Sequence, residues 1–144
     1  MDKIERGNEP IIYSLNDNDN EINSAIELAN KTLEDFDKGL MDSGNENFAL
    51  KIRFDLSDKT EHIWAVNIEK IDNEYFGIID NLPNSITEIK LNNKIKIRTD
   101  KISDWMYSKN GKLVGGFTIR VLRDRMSKVE REFFDKEFII KINL

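Results

Sequence analysis

Residues 48–79 read FALKIRFDLSDKTEHIWAVNIEKIDNEYFGII, and this stretch decides the fold. Phe48, Leu50, Ile52, Phe54 and Leu56 alternate with Ala49, Lys51, Arg53 and Asp55. A period of two marks a strand with one face buried. Ser57-Asp58-Lys59 reads as a turn. After it His62, Trp64, Val66 and Ile68 alternate with Ile63, Ala65, Asn67 and Glu69. Asp72-Asn73 turns the chain once more, into Tyr75–Ile79. Three strands joined by short polar turns predict an antiparallel meander.

Upstream the period changes. Ile22, Ala25, Ile26, Ala29, Leu33, Phe36 and Leu40 recur at steps of three and four, one stripe of a helix from about Asp19. Asp19 or Asn20 can cap its exposed N–H groups, and Gly44 follows its end. Pro10–Leu15 reads as a short strand or extended lead-in, and Asn16–Asn20 as a polar turn.

Downstream, Leu82-Pro83-Asn84 ends the meander, and Leu91–Lys94 turns into an alternating strand with Ile95, Ile97 and Thr99. Asn110-Gly111 predicts a two-residue hairpin turn, because both positions tolerate positive φ. Its strands should end near Tyr107 and restart near Lys112. Thr118 is the expected cap of a short helix reaching Met126, and Ser127-x-x-Glu130 has capping-box spacing for another, through about Lys136. Phe138–Leu144 is β-like and predicts a further strand. The expected fold is α+β, one domain over 1–144. An antiparallel sheet, meander plus hairpin, packs against an N-terminal amphipathic helix and two short C-terminal helices.

The 144 residues suffice for one core. Charged residues reach 34%, yet aromatic and β-branched residues are plentiful, which describes a folded globule and not a disordered chain. There is no cysteine, and His62 is the one histidine, so disulfides, thiolate catalysis and Cys- or His-rich zinc sites are excluded. Asp17, Asp19 and Glu21 lack the glycine and distal glutamate of a calcium loop. No metal or cofactor is expected. Met1–Pro10 lacks the apolar run of a signal peptide, and no stretch approaches the roughly 18 apolar residues of a membrane span. The expectation is a cytoplasmic protein with no membrane partner.

Charge is unevenly placed. Residues 1–47 hold 4 basic and 12 acidic side chains, and residues 89–131 hold 12 basic and 4 acidic. The two halves either neutralise each other internally, the favoured reading, or leave a basic face for an anionic partner.

Two blocks carry a resemblance: TEHIWA at 60–65 and ISDWMYSKNGKLVGGFTIRVLRDRM at 102–126. With the N-terminal helix and Phe76-Gly77, they resemble the YegJ-like family of small bacterial proteins, a domain of unknown function. The resemblance covers about residues 11–135, with the β-like tail beyond it. It implies bacterial origin and a shared fold, and brings no activity, substrate or cofactor.

Glu61, His62 and Asp104 are the candidates for acid–base chemistry, since a general base needs a neighbour to hold its tautomer. His62 is in phase with Trp64, so a hydrogen-bonded structural histidine is preferred, and no nucleophile accompanies it. Trp64, Trp105 and Tyr107 could form an aromatic platform, with Trp64 read as core and Trp105 either packed or presented at a rim by the hairpin. Gly115-Gly116 is either an anion-binding turn or a turn required by close packing. Arg120, Arg123 and Arg125 could clamp a carboxylate or phosphate, or lock their helix to acidic side chains such as Asp104 or Glu61. Arg120 and Asp124 have i,i+4 spacing. The favoured function is a non-enzymatic binding or protein-interaction module. Its surface would comprise Trp105, Tyr107, Lys109, Lys112, Gly115, Gly116, Arg120, Arg123 and Arg125. The partner would be another protein, as in toxin immunity, or a small anionic ligand. The alternatives are a hydrolase-like enzyme using Glu61, His62 and Asp104, or nucleotide or single-stranded nucleic-acid binding at Trp105 and the arginine helix, with nucleic acid disfavoured.

Overall fold

A computed structural model describes residues 3–4, 12–13, 19–81 and 89–142. β1 (Lys3–Ile4) and β2 (Ile12–Tyr13) pair as an antiparallel ribbon. The rest of the expected lead-in and Leu82-Pro83-Asn84 lie outside the described residues. The meander is present as β3 (Glu46–Asp55), β4 (Thr60–Ile71) and β5 (Glu74–Ile79). With β6 (Lys94–Ile97), β7 (Ile102–Lys109) and β8 (Lys112–Gly115) it forms a six-stranded sheet in the order β6-β5-β4-β3-β7-β8. Every neighbouring pair is antiparallel.

Asn110 and Gly111 take φ of 53° and 78° between paired Lys109 and Lys112, the two-residue turn expected of them. β6 stops earlier than expected, because Thr99 belongs to a 3-10 turn over Thr99–Lys101.

The N-terminal stripe folds as two helices, not one: α1 (Asn20–Lys31) and α2 (Leu33–Leu40). Asp19 caps α1 by accepting from the Ile22 N–H at 3.2 Å. The break falls at Thr32, whose φ of −110° is not helical. The cause lies in β7: the Trp105 indole N–H donates to the Ala29 carbonyl at 3.1 Å and to Thr32 Oγ1 at 3.2 Å. The Thr32 hydroxyl in turn donates to the Leu28 carbonyl. Carbonyls in the last turn are thus held by side chains, and the chain restarts its helix one residue on.

α3 (Phe117–Asp124) begins earlier than the expected Thr118 cap, with left-handed Gly116 at the cap position. Thr118 is inside the helix and buried. α4 (Lys128–Glu137) carries the complete Ser127–Glu130 capping box. Asn143 and Leu144 lie outside the described residues, and over 138–142 the tail does not become a strand. It makes one parallel bridge, Lys112 to Lys141, with the Leu113 N–H donating to the Lys141 carbonyl at 2.7 Å.

Both sheet faces are covered. Leu50, Ile52, Ala65, Trp105 and Tyr107 pack with Ala29 of α1 and Phe36 of α2. Ala49, Trp64 and Met106 pack on the other face with Ile119 of α3, Phe134 of α4 and Ile140. Two-sided burial explains why Lys51, on a face read as polar, is only 1% exposed.

The alternation fails where one strand inserts a residue. Between Val66 and Glu69, β4 has one residue more than β5, and Asn67 takes a φ of 52°. The expected in-phase run therefore holds through Val66, which packs with Trp64, and breaks at Ile68, which joins Ala65. β3 carries a matching bulge opposite β7 between Glu46 and Ala49, with Asn47 at a φ of 59°.

Candidate functional site

Most of the chemically suggestive residues of 102–126 are buried or hydrogen-bonded within the fold. Asp104 is fully buried, and register sets it beside Lys51, itself beside Trp64. One carboxylate oxygen of Asp104 accepts from the N–H groups of Trp105 at 2.8 Å and Phe117 at 3.1 Å. The other accepts from the Thr118 N–H at 2.9 Å and from the Thr118 hydroxyl. Thr118 Oγ1 accepts in turn from Lys51 Nζ at 3.2 Å, and that ammonium stands 5.6 Å from the centre of the Trp64 ring. Burial pushes the Asp104 pKa up, while Lys51 and the Thr118 and Trp105 donors pull against it. The cluster ties α3 to the sheet through its first N–H groups. Lys51 and Thr118 were not legible as its members, because nothing local reveals that β7 will pair with β3.

Glu61 and His62 are consecutive in β4 and so point to opposite faces. His62 Nδ1 lies 3.0 Å from Ser103 Oγ, while Asp104 turns to α3 and Lys51. Trp105 is 2% exposed and Tyr107 is buried, their rings stacked 5.9 Å apart against Phe36. Gly115 has a φ of 78°, and a Cβ there would fall 2.4 Å from the Trp105 carbonyl oxygen, so close packing requires glycine. The Gly116 N–H donates to that same carbonyl.

The arginines are committed as well. Arg120 donates to the Gly115 carbonyl at 2.9 Å and the Leu113 carbonyl at 3.0 Å. Arg123 forks onto Asp135 at 2.8 and 2.6 Å. Arg125 forks onto Asp19 with both contacts at 2.7 Å and reaches Glu21 at 3.2 Å. These bidentate pairs raise the Arg123 and Arg125 pKa values and lower those of Asp135 and Asp19. The acidic N-terminal segment thus meets the basic segment internally at Asp19–Arg125. Lys109 and Lys112 stay exposed.

A pocket of about 340 Å3 opens elsewhere, between the sheet and α4 with its tail. Ala49, Val66 and Met106 form its floor on the sheet. Phe134 and Phe138, stacked 4.9 Å apart, wall it with Ile140. Its polar lining is Asn47, Asn67, Asp80 and Glu137. Both asparagines sit at the strand bulges in the left-handed region, which costs an ordinary side chain about 1–3 kcal/mol and recurs at binding sites. Asn47 is held by its amide donating to Ser108 Oγ at 2.9 Å. Asp80 is fixed by its N–H donating to the Trp64 carbonyl at 2.9 Å, and burial raises its carboxyl pKa. The Arg123–Asp135 fork pins α4, and Ile139 projects at the rim, 84% exposed. The sequence signal was present: Asn67 interrupts an otherwise apolar alternation, and asparagine is a poor strand former that tolerates positive φ.

Among the described residues no group of three or more His, Asp or Glu is placed to hold a metal ion, and no helix is long and apolar enough to cross a membrane.

Residues 19–141 match the family model described as "Uncharacterized protein conserved in bacteria (DUF2314)". The chain is 30% identical over 111 residues to the uncharacterized protein YegJ of Escherichia coli K12, covering 77% of this chain and 72% of that one. It is also 30% identical over 135 residues to a Neisseria meningitidis serogroup B protein named "Putative ankyrin repeat protein". That match covers 87% of this chain and 53% of the relative, so the chain spans about half of that protein's length. No solved structure matches.

Proposed function

The chain belongs to this bacterial DUF2314 family, and we propose that it is a non-enzymatic binding module that takes a ligand or a partner's side chain into the pocket beside α4. The observation that carries the reading is the placement of two left-handed asparagine bulges in one mixed apolar and polar cavity. Its volume lies at the small end of the roughly 300–1,000 Å3 of ligand pockets. Exposed Ile139 at the rim and Phe133 on α4 favour a protein among the partners, and the ankyrin-repeat name of one relative is in keeping with that. On this reading the Lys51–Thr118–Asp104 cluster is scaffold, with Asp104 occupied by four donors and unavailable as a base.

A fragment library screened by amide NMR tests the reading. Hits are expected to shift Asn47, Ala49, Val66, Asn67 and Asp80 and to leave Lys109–Lys112 unmoved. Hits that gather on the hairpin with the pocket silent would overturn it.

A further inference from the structure

We infer that the pocket selects a ligand carrying a protonated amine on an apolar stem, an alkylammonium or the side chain of a lysine. This inference rests on the binding reading above and deepens it.

The chemistry of the lining supports it. Asp80 and Glu137 are carboxylates, Asn47 and Asn67 are carboxamides, and among the described residues no lysine, arginine or histidine lines the pocket. Among the described lining residues an anionic ligand would meet two like charges and no cation, and none of the basic residues of 89–131 is one of them. A wholly apolar ligand would cover the polar groups without bonding them, and burying an unbonded polar group is costly. A cation with an apolar stem satisfies both kinds of wall. Its stem lies on Ala49, Val66 and Met106, and its ammonium donates to the carboxylates and carboxamide oxygens. The stacked Phe134 and Phe138 rings add aromatic faces that attract cations. Asp80 is partly withdrawn from water, and charge pairs strengthen as the local dielectric falls.

The test compares n-hexylamine, 1-hexanol and hexanoate, read by amide NMR on the whole chain at neutral pH. Hexylamine is expected to bind about tenfold more tightly than hexanol, and hexanoate more weakly than either. Asp80→Asn should narrow the amine preference to about twofold while leaving hexanol unchanged. Glu137→Gln, at an exposed position, should narrow it about threefold and serves if Asp80→Asn fails to fold. N-acetyl-lysine methylamide distinguishes the sources. Affinity equal to that of hexylamine assigns the site to a partner's lysine, and hexylamine binding alone assigns it to a free amine. Equal binding of amine and alcohol, or a preference for hexanoate, overturns the charge selectivity while the pocket reading stands. Failure of all probes to reach the pocket overturns both.

Discussion

The Asp104 cluster and the Asn47–Asn67 pocket lie on the same face of one sheet, and they use polar residues in opposite ways. In the cluster every oxygen of Asp104 has two donors, Lys51 is covered, and α3 is anchored. At the pocket two asparagines at register shifts adopt left-handed backbone and line a cavity together with the partly buried Asp80. Buried polar groups whose hydrogen bonds are satisfied within the fold specify structure, whereas exposed ones that line a cavity, as Asn47 and Asn67 do, can meet a ligand. Residue types that look reactive in a sequence therefore do not separate the two uses. Their partners do.

Making the same substitution in both regions gives the largest expected contrast. Asp104→Asn puts an NH2 group where an oxygen accepts two donors, and it leaves the Lys51 ammonium buried without its counter-charge. Although burial favours a neutral Asp104, the asparagine amide cannot accept at both positions. The expected cost is about 3–5 kcal/mol, the range for breaking a buried pair. Asp80→Asn removes a carboxyl that burial already disfavours as an anion, and should change stability by less than about 1 kcal/mol. Urea unfolding of the two variants measures the difference. Equal losses would erase the distinction between scaffold and site.

A smaller effect is expected at the seam between the acidic and basic segments. Arg125→Met removes the fork onto Asp19 and should cost about 2 kcal/mol at pH 7. Arg125 lowers the folded-state pKa of Asp19 below its unfolded value. The stability it contributes is therefore fully present above the unfolded pKa, near 4, and is lost as pH falls through the folded pKa. The urea midpoints of parent and variant should accordingly converge as pH drops below about 4. A gap that persists unchanged to pH 2 would mean that packing by the arginine stem, not its charge, joins α3 to α1.

Local signals were read from the sequence with most success. The Asn110-Gly111 turn, the Ser127–Glu130 box, the Asp19 cap and the three strands of the meander each depend on residues a few positions apart. What escaped depends on distant ones. The break at Thr32 is made by an indole 73 residues away, and the burial of Lys51 by a threonine 67 residues away. Trp105, whose neighbours leave core and rim both open, is central because α1 and α2 close over it. The pocket escaped for a different reason. The sequence carries a period of two straight through Asn67, and one inserted residue exchanges the faces of everything beyond it.

That exchange gives the smallest and most local prediction. With a φ of 52°, Asn67 occupies a region in which a β-branched side chain is strained and glycine is not. Asn67→Gly should stay within about 0.5 kcal/mol of the parent, since relief of strain is offset by the added freedom of the unfolded chain. Asn67→Val should lose about 1–2 kcal/mol if the bulge holds. Valine also supplies what the alternation lacked, so the strand has an alternative: expel the bulge, restore an unbroken period, and turn Ile68 toward the pocket face. That route would cost the packing of Ile68 against Ala65, since a one-residue slip moves each side chain to the other face. Cross-strand amide contacts between Val66 and Ile78 and between Glu69 and Phe76 report which route is taken, because both pairs exist only with the bulge between them. Retained contacts with a loss of stability are the expected outcome. A valine variant at least as stable as the parent, with both contacts intact, would show that Asn67 is not what holds the bulge, and the left-handed asparagines would no longer mark the pocket as a site.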